Sequence, residues 1–351
     1  MTASYPTYAA FAFICLTLLV LPFVPAFAEW LRPTDTAPLP ISPNYASDID
    51  HFAKRLRADV AAKQGTGAPT GYEDFAYVTG QTTEQDWQRA TQRLISTHDI
   101  ASGWPIKTTR PLYVEGDILA PSGSSFNALY AAGNINLGPH SQVLDWAHAD
   151  RSILLGTGCT ALRRLSAGDT IELGVEAWFE RMYAPTIVFG AKSFQNAGFP
   201  ERSVGNTPQA VGHLQDIPDV IAQTPSVFLV RGDCTLPADT HFSGSLIVTG
   251  VLTVGARTTV RGNLKARGGV RIGPGAHIEG AITCEKRIDL WQGSGVWGPV
   301  VSEQQIIVGS QAVVGLLHAP TTLSANIIIM TSGARAHGAV WAGELGMVKS
   351  A

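Results

Sequence analysis

Four histidines, His241, His277, His318 and His337, carry the side chain best suited to acid–base chemistry near neutral pH. A catalytic histidine also needs a positioned partner to fix its ring. No Asp or Glu stands at a telling spacing from any of the four, so the sequence reads them as surface histidines. Asp145, Asp150, Asp169 and Glu172 are scattered acids, whereas paired-carboxylate catalysis needs two groups at a defined separation. Cys15, Cys159, Cys234 and Cys284 form no C-x-x-C, which signals neither a zinc knuckle nor a redox pair. They read as small buried hydrophobes in a reducing compartment. The sequence therefore assigns no catalytic residue, no cofactor and no metal ligand. Trp291 and Trp297, six positions apart, are an aromatic pair that could meet a sugar or a partner protein.

The elements that would position such residues are unusual. The chain is 45% hydrophobic and only 15% charged, below the average charged share of about 25%. With 36 Gly and 21 Pro it suits many short strands and tight corners rather than a helix-rich enzyme. A formal charge of -3 gives no general affinity for nucleic acid.

Residues 9–28, AAFAFICLTLLVLPFVPAFA, hold no charge over a length that suffices for a transmembrane helix. Arg32, Lys54, Arg55 and Arg57 follow it, while the first eight residues hold no Lys or Arg. By the positive-inside rule this describes a single-pass inner-membrane anchor with a cytoplasmic body. The competing reading is a periplasmic form cleaved near Ala28, where Ala26-Phe27-Ala28 fits the small-x-small rule. A proline-rich linker over residues 29–43 precedes two expected helices. The first has Ser47 as N-cap and Ile49, Phe52, Leu56 and Val60 on one face. The second is TEQDWQRATQRLIS, with Trp87, Ala90 and Leu94 inward. Together they predict a small helical cap or connector.

From Phe228 the chain divides into gapless blocks of 18 residues: FLVRGDCTLPADTHFSGS, LIVTGVLTVGARTTVRGN, LKARGGVRIGPGAHIEGA, ITCEKRIDLWQGSGVWGP and VVSEQQIIVGSQAVVGLL. Their columns are apolar: Phe228, Leu246, Leu264, Ile282, Val300; then Cys234, Leu252, Val270, Ile288, Ile306; then Phe242, Val260, Ile278, Val296, Val314. Glycines fill further columns and are expected to make corners through positive φ. Ile118, Ile135, Ile153 and Ile171 carry the same register earlier, and four residues are inserted between Ile306 and Ile328. This period predicts an all-β solenoid with three short strands per turn and like side chains stacked about 4.8 Å apart. About ten to eleven turns would make a rod on the order of 50 Å long.

The expected organisation is a transmembrane anchor at 1–28, linker and helical cap at 29–108, and a first β-helix half at 109–189. An insertion at 190–227, with a short helix at LQDIPDVIAQ, precedes a second half at 228–343 and a tail at 344–351. A solenoid tip exposes unpaired strand edges. The C-terminal tip, with Val340, Trp341, Leu345 and Met347, is the predicted self-association surface.

The 18-residue turn, the L-x-V-x-G block openings, the membrane segment and the lack of catalytic motifs resemble the bactofilins. The best-matching segment is 228–343, typified by LIVTGVLTVGARTTVRGNLKARGGVRIGPGAHIEGAI. The resemblance implies a right-handed β-helix core and a nucleotide-independent cytoskeletal scaffold. It also implies end-to-end polymers at the inner membrane that position cell-envelope machinery. The chain departs from that pattern in its second solenoid half, insertion and N-terminal helices. The alternative is a β-helical enzyme, either a hexapeptide-repeat-type acyltransferase or a polysaccharide-acting protein, since IGPGAHIEG would also pass as a hexad.

Overall fold

The computed structural model describes residues 5–24, 49–65, 75–190 and 210–351. The chain divides into two units, Met1–Asp48 and Ile49–Ala351. In the first, a 16-residue helix spans Tyr5–Val20 and passes into a 3-10 turn at Leu21–Phe23, where Pro22 sits in the first positions. Phe11, Phe13, Leu16, Leu18 and Leu19 are all exposed, on every side of this helix. At 1.5 Å per residue it reaches only about 24 Å, against a bilayer core of about 30 Å. Among the described residues no helix is long and apolar enough to cross a membrane. The anchor expected over 9–28 falls in part on this helix and the 3-10 turn that follows it. Residues 25–28, the linker and Ser47 lie outside the described residues.

The second unit is a β-solenoid of about 14 turns with about 18 residues per turn. Its strands follow three faces. In the second half, one face runs Phe228, Leu246, Leu264, Ile282, Val300, Leu323 as successive partners. The next runs Cys234, Leu252, Val270, Ile288, Ile306, Ile328, which places the four-residue insertion where the sequence put it. The third runs Phe242, Val260, Ile278, Val296, Val314. These columns are buried because alternate residues on a strand point to opposite sides. In the first half Ile118, Ile135, Ile153 and Ile171 stack likewise.

The coil begins earlier than expected. Strand Phe75–Tyr77 pairs with Arg93–Ser96, which pairs with Leu112–Val114. The second expected helix survives only as Glu84–Arg89, capped by the Thr83 side chain on the Asp86 N–H. Its remainder becomes strand because rung pairing places Leu94 over Leu112, outweighing local helical pattern. Trp87 plugs the open end of the core, fully buried. The helix His51–Gly65 forms and lies along one face, burying Ala53, Leu56 and Val60; Phe52 is 40% exposed instead of inward. The helix expected within the insertion is a 3-10 turn at Leu214–Asp216 followed by strand Val220–Thr224. Residues 191–209 lie outside the described residues.

Corners divide two jobs that the sequence reading merged. Positive φ recurs down one column, occupied by Asp239, Arg257, Gly275, Gly293 and Gln311, and is also found at the expected corner glycines Gly232 and Gly244. In the column Gly232, Gly250 and Gly268 only the first has a positive φ, at +93; a Cβ on Gly250 or Gly268 would meet the backbone of the turn before at 2.5 or 2.6 Å. Those last two glycines allow close approach of rungs rather than a left-handed bend.

Leu252 is fully buried and Thr253 beside it faces outward. Leu252→Ala should cost about 2–5 kcal/mol, and Thr253→Ala should lie within about 0.5 kcal/mol of wild type. Urea unfolding of the two variants checks the inward-outward register.

Candidate functional site

The last strand of the first half, Trp178–Phe189, turns across all three faces. The last strand of the second half, Arg335–Lys349, does the same. These two strands pair antiparallel: Ile187 with Ala336, Met182 with Val340, and Trp178 with Met347. Two coils therefore meet end to end, and each covers the other's terminal rung. Met182 and Val340 are 1% exposed at the centre of this joint. Gly338 adopts φ +112, and a Cβ there would meet the Thr321 carbonyl at 2.3 Å.

This placement corrects the predicted self-association surface. Val340, Trp341 and Met347 pair with the chain's own first half, and Leu345 pairs with Ile327 in the preceding rung. The C-terminal edge is engaged within the molecule. The sequence showed two coils but no signal for their polarity, since a parallel and an antiparallel joint use the same apolar columns. His337 also belongs here: its Nδ1–H donates to the Pro185 carbonyl at 2.9 Å, and Thr186 Oγ1 lies 3.3 Å away.

The other end of the second half is built differently. Strand Val220–Thr224 folds antiparallel over Val227–Val230 and pairs with no other strand among the described residues. Its outer side is largely exposed, including Ile221, and Val211 nearby is 72% exposed.

One polar cluster was missed by sequence reasoning. Tyr113, Tyr130, His148 and Ser166 occupy one outward column beneath the helix His51–Gly65. The two tyrosine rings stack at 4.8 Å and 2°. Ser166 Oγ–H donates to His148 Nδ1 at 2.7 Å, and His148 Nε2–H donates to Asp150 at 3.2 Å. Asp150 also accepts from Tyr130 Oη at 2.9 Å and pairs with helix residue Arg57 at 3.2 Å. Burial and the hydrogen bond to Asp150 push the Tyr130 phenol well above its usual range. The order Ser–His–Asp has the connectivity of a nucleophile relay. Yet Ser166 is 4% exposed and sits between two paired rungs, which leaves it neither substrate access nor free N–H donors for an oxyanion. The cluster clamps the helix to the coil. Its sequence signals were the two-residue spacing of His148 and Asp150, which a strand places on one face, and the 18-residue spacing of Tyr130, His148 and Ser166.

The remaining predicted groups stay apart. Trp291 follows strand Arg287–Leu290 and Trp297 follows Gly295–Val296 on the next face; both are exposed and their rings make no contact. His241 lies 3.4 Å from Ser243 Oγ, and His318 is exposed in the longer turn. Cys159, Cys234 and Cys284 are buried and free, and burial raises each thiol above its usual pKa. Asp145 joins a basic cleft described below.

Comparison with protein-family models, with curated proteins and with solved structures finds no match to this chain.

Met182→Lys should place an unpaired charge in the joint and cost several kcal/mol. Calorimetry should then show the two halves unfolding separately rather than together.

Desolvation holds His148 below its ordinary pKa of about 6.5. Below that value the unfolded chain binds the proton more readily, so stability from this site is present at higher pH and falls as the solution is acidified. Unfolding midpoints of wild type should drop more on acidification than those of His148→Gln.

Proposed function

We propose that this protein is a membrane-anchored, nucleotide-independent scaffold that self-associates through coil ends and positions cell-envelope machinery. The end-to-end joint supports this reading most directly: within one chain, a terminal rung already pairs antiparallel with another terminal rung. An exposed rung edge is a template for a further strand. With the C-terminal edges engaged, the contact between copies falls to the Val220–Thr224 edge. The sequence resemblance to bactofilins, which implies end-to-end assembly, agrees in kind.

Anchoring rests on the apolar helix Tyr5–Val20, whose side chains from residue 9 onward are exposed among the described residues. Lipid is the solvent that suits a helix apolar on all sides. Arg32, Lys54, Arg55 and Arg57 orient the body toward the cytoplasm.

Purified full-length protein in detergent should form concentration-dependent linear oligomers without nucleotide, seen by sedimentation and electron microscopy. Ile221→Lys should shorten or abolish them while leaving the thermal midpoint nearly unchanged. A strict monomer at all concentrations, or discrete trimers that turn over an acyl donor, would overturn the scaffold reading. Amino-terminal sequencing of the membrane fraction separates a retained anchor from cleavage near Ala28.

A further inference from the structure

A cleft of about 430 Å³ opens where the helix His51–Gly65 begins, lined by Phe52, Asp145, Arg163, Arg164, Glu180 and Arg181. Trp146, Arg164, Arg181 and Trp341 are register partners on four successive rungs. Two guanidinium side chains thus leave directly opposed positions, an arrangement that like-charge repulsion disfavours. Arg164 lies 4.9 Å from the Phe52 ring centroid and Arg181 lies 4.3 Å from the Trp341 ring. The aromatic faces hold both groups in place. None of the three arginines, nor Asp145 or Glu180, makes an ion pair within 4 Å among the described residues. The nearby salt bridges go elsewhere, as in Arg57 with Asp150.

Arg163 adds a second observation. It has φ +82 in a bulge where the register with the next rung shifts between Ala161 and Arg164. An arginine in this region is strained, and such strain collects at ligand sites. The bulge brings a third guanidinium to the same opening.

We propose that this cleft binds a phosphate ester of a polyol. The planar forks of Arg164 and Arg181 match phosphate oxygens in bidentate fashion. Arg163 adds charge at the mouth. Asp145 and Glu180, which would repel a bare oxyanion, accept hydrogen bonds from the hydroxyls of the ester's body. The volume suits a small ligand. The site does not depend on self-association. The same chemistry is offered by a soluble glycerol phosphate and by a phosphatidylglycerol headgroup, and the test separates them.

Full-length protein is titrated with glycerol 3-phosphate by calorimetry, and is floated with phosphatidylcholine vesicles made with and without phosphatidylglycerol. The difference between the two vesicle types removes any contribution of the apolar helix. Saturable binding of glycerol 3-phosphate, weakened about tenfold or more in Arg164→Gln and Arg181→Gln, supports a soluble ester. Flotation that needs phosphatidylglycerol and is lost in both variants, without calorimetric binding, supports the headgroup. Arg163→Gln, at an exposed side chain, should weaken either signal less and serves if the others misfold. No binding in either arm, or binding unchanged in all three variants, overturns the proposal.

Discussion

Every turn of this coil needs another turn on each side of it. The rungs satisfy their backbone donors and acceptors only through neighbours, in ladders that are parallel within each half and antiparallel at the joint. A rung at an end has half of these bonds missing and an apolar cross-section open to water. The molecule answers this constraint in three different ways. Trp87 and a short capped helix cover the core at the first tip. Two C-terminal rungs close each other. A strand folded back over Val227–Val230 closes the last tip but carries the free edge one strand outward. That third solution moves the edge rather than removing it, which is why the proposed assembly falls there.

Stacking also amplifies single residues into columns. A β-branched column becomes core, and a small-residue column lets successive backbones approach within contact. An outward column can turn into something specific. Tyr113, Tyr130, His148 and Ser166 become a polar rail that holds a helix through Asp150 and Arg57. The column Trp146, Arg164, Arg181, Trp341 crosses the joint and sets two arginines in line between aromatic rings. Neither column repeats a residue type often enough to look like a repeat, so neither stands out in the sequence.

Scaffold and ligand site are compatible on this frame. A coil held by its own ladders has side chains to spare on three outer faces, and the joint doubles the length available. The basic cleft lies at the joint, and the free strand edge lies at the outer tip of the second half. Occupation of one would not obstruct the other.

The sequence by itself determined the period, the three inward columns and the four-residue insertion, because a strand alternates sides with a period of two and a slipped residue would turn a whole column outward. Ile306 and Ile328 could therefore be matched without any structure. It also showed a helix over 47–63, found at His51–Gly65, and the apolar N-terminal run. Only the tertiary structure decided where the coil begins, since Leu94 and Trp87 carry a helical pattern that rung pairing overrides at Arg93–Ser96. Only it decided that Val340 and Met347 meet Met182 and Trp178 rather than a second molecule. The reason is that a periodic sequence specifies what each rung prefers as a neighbour but not which rung, in which direction, supplies it.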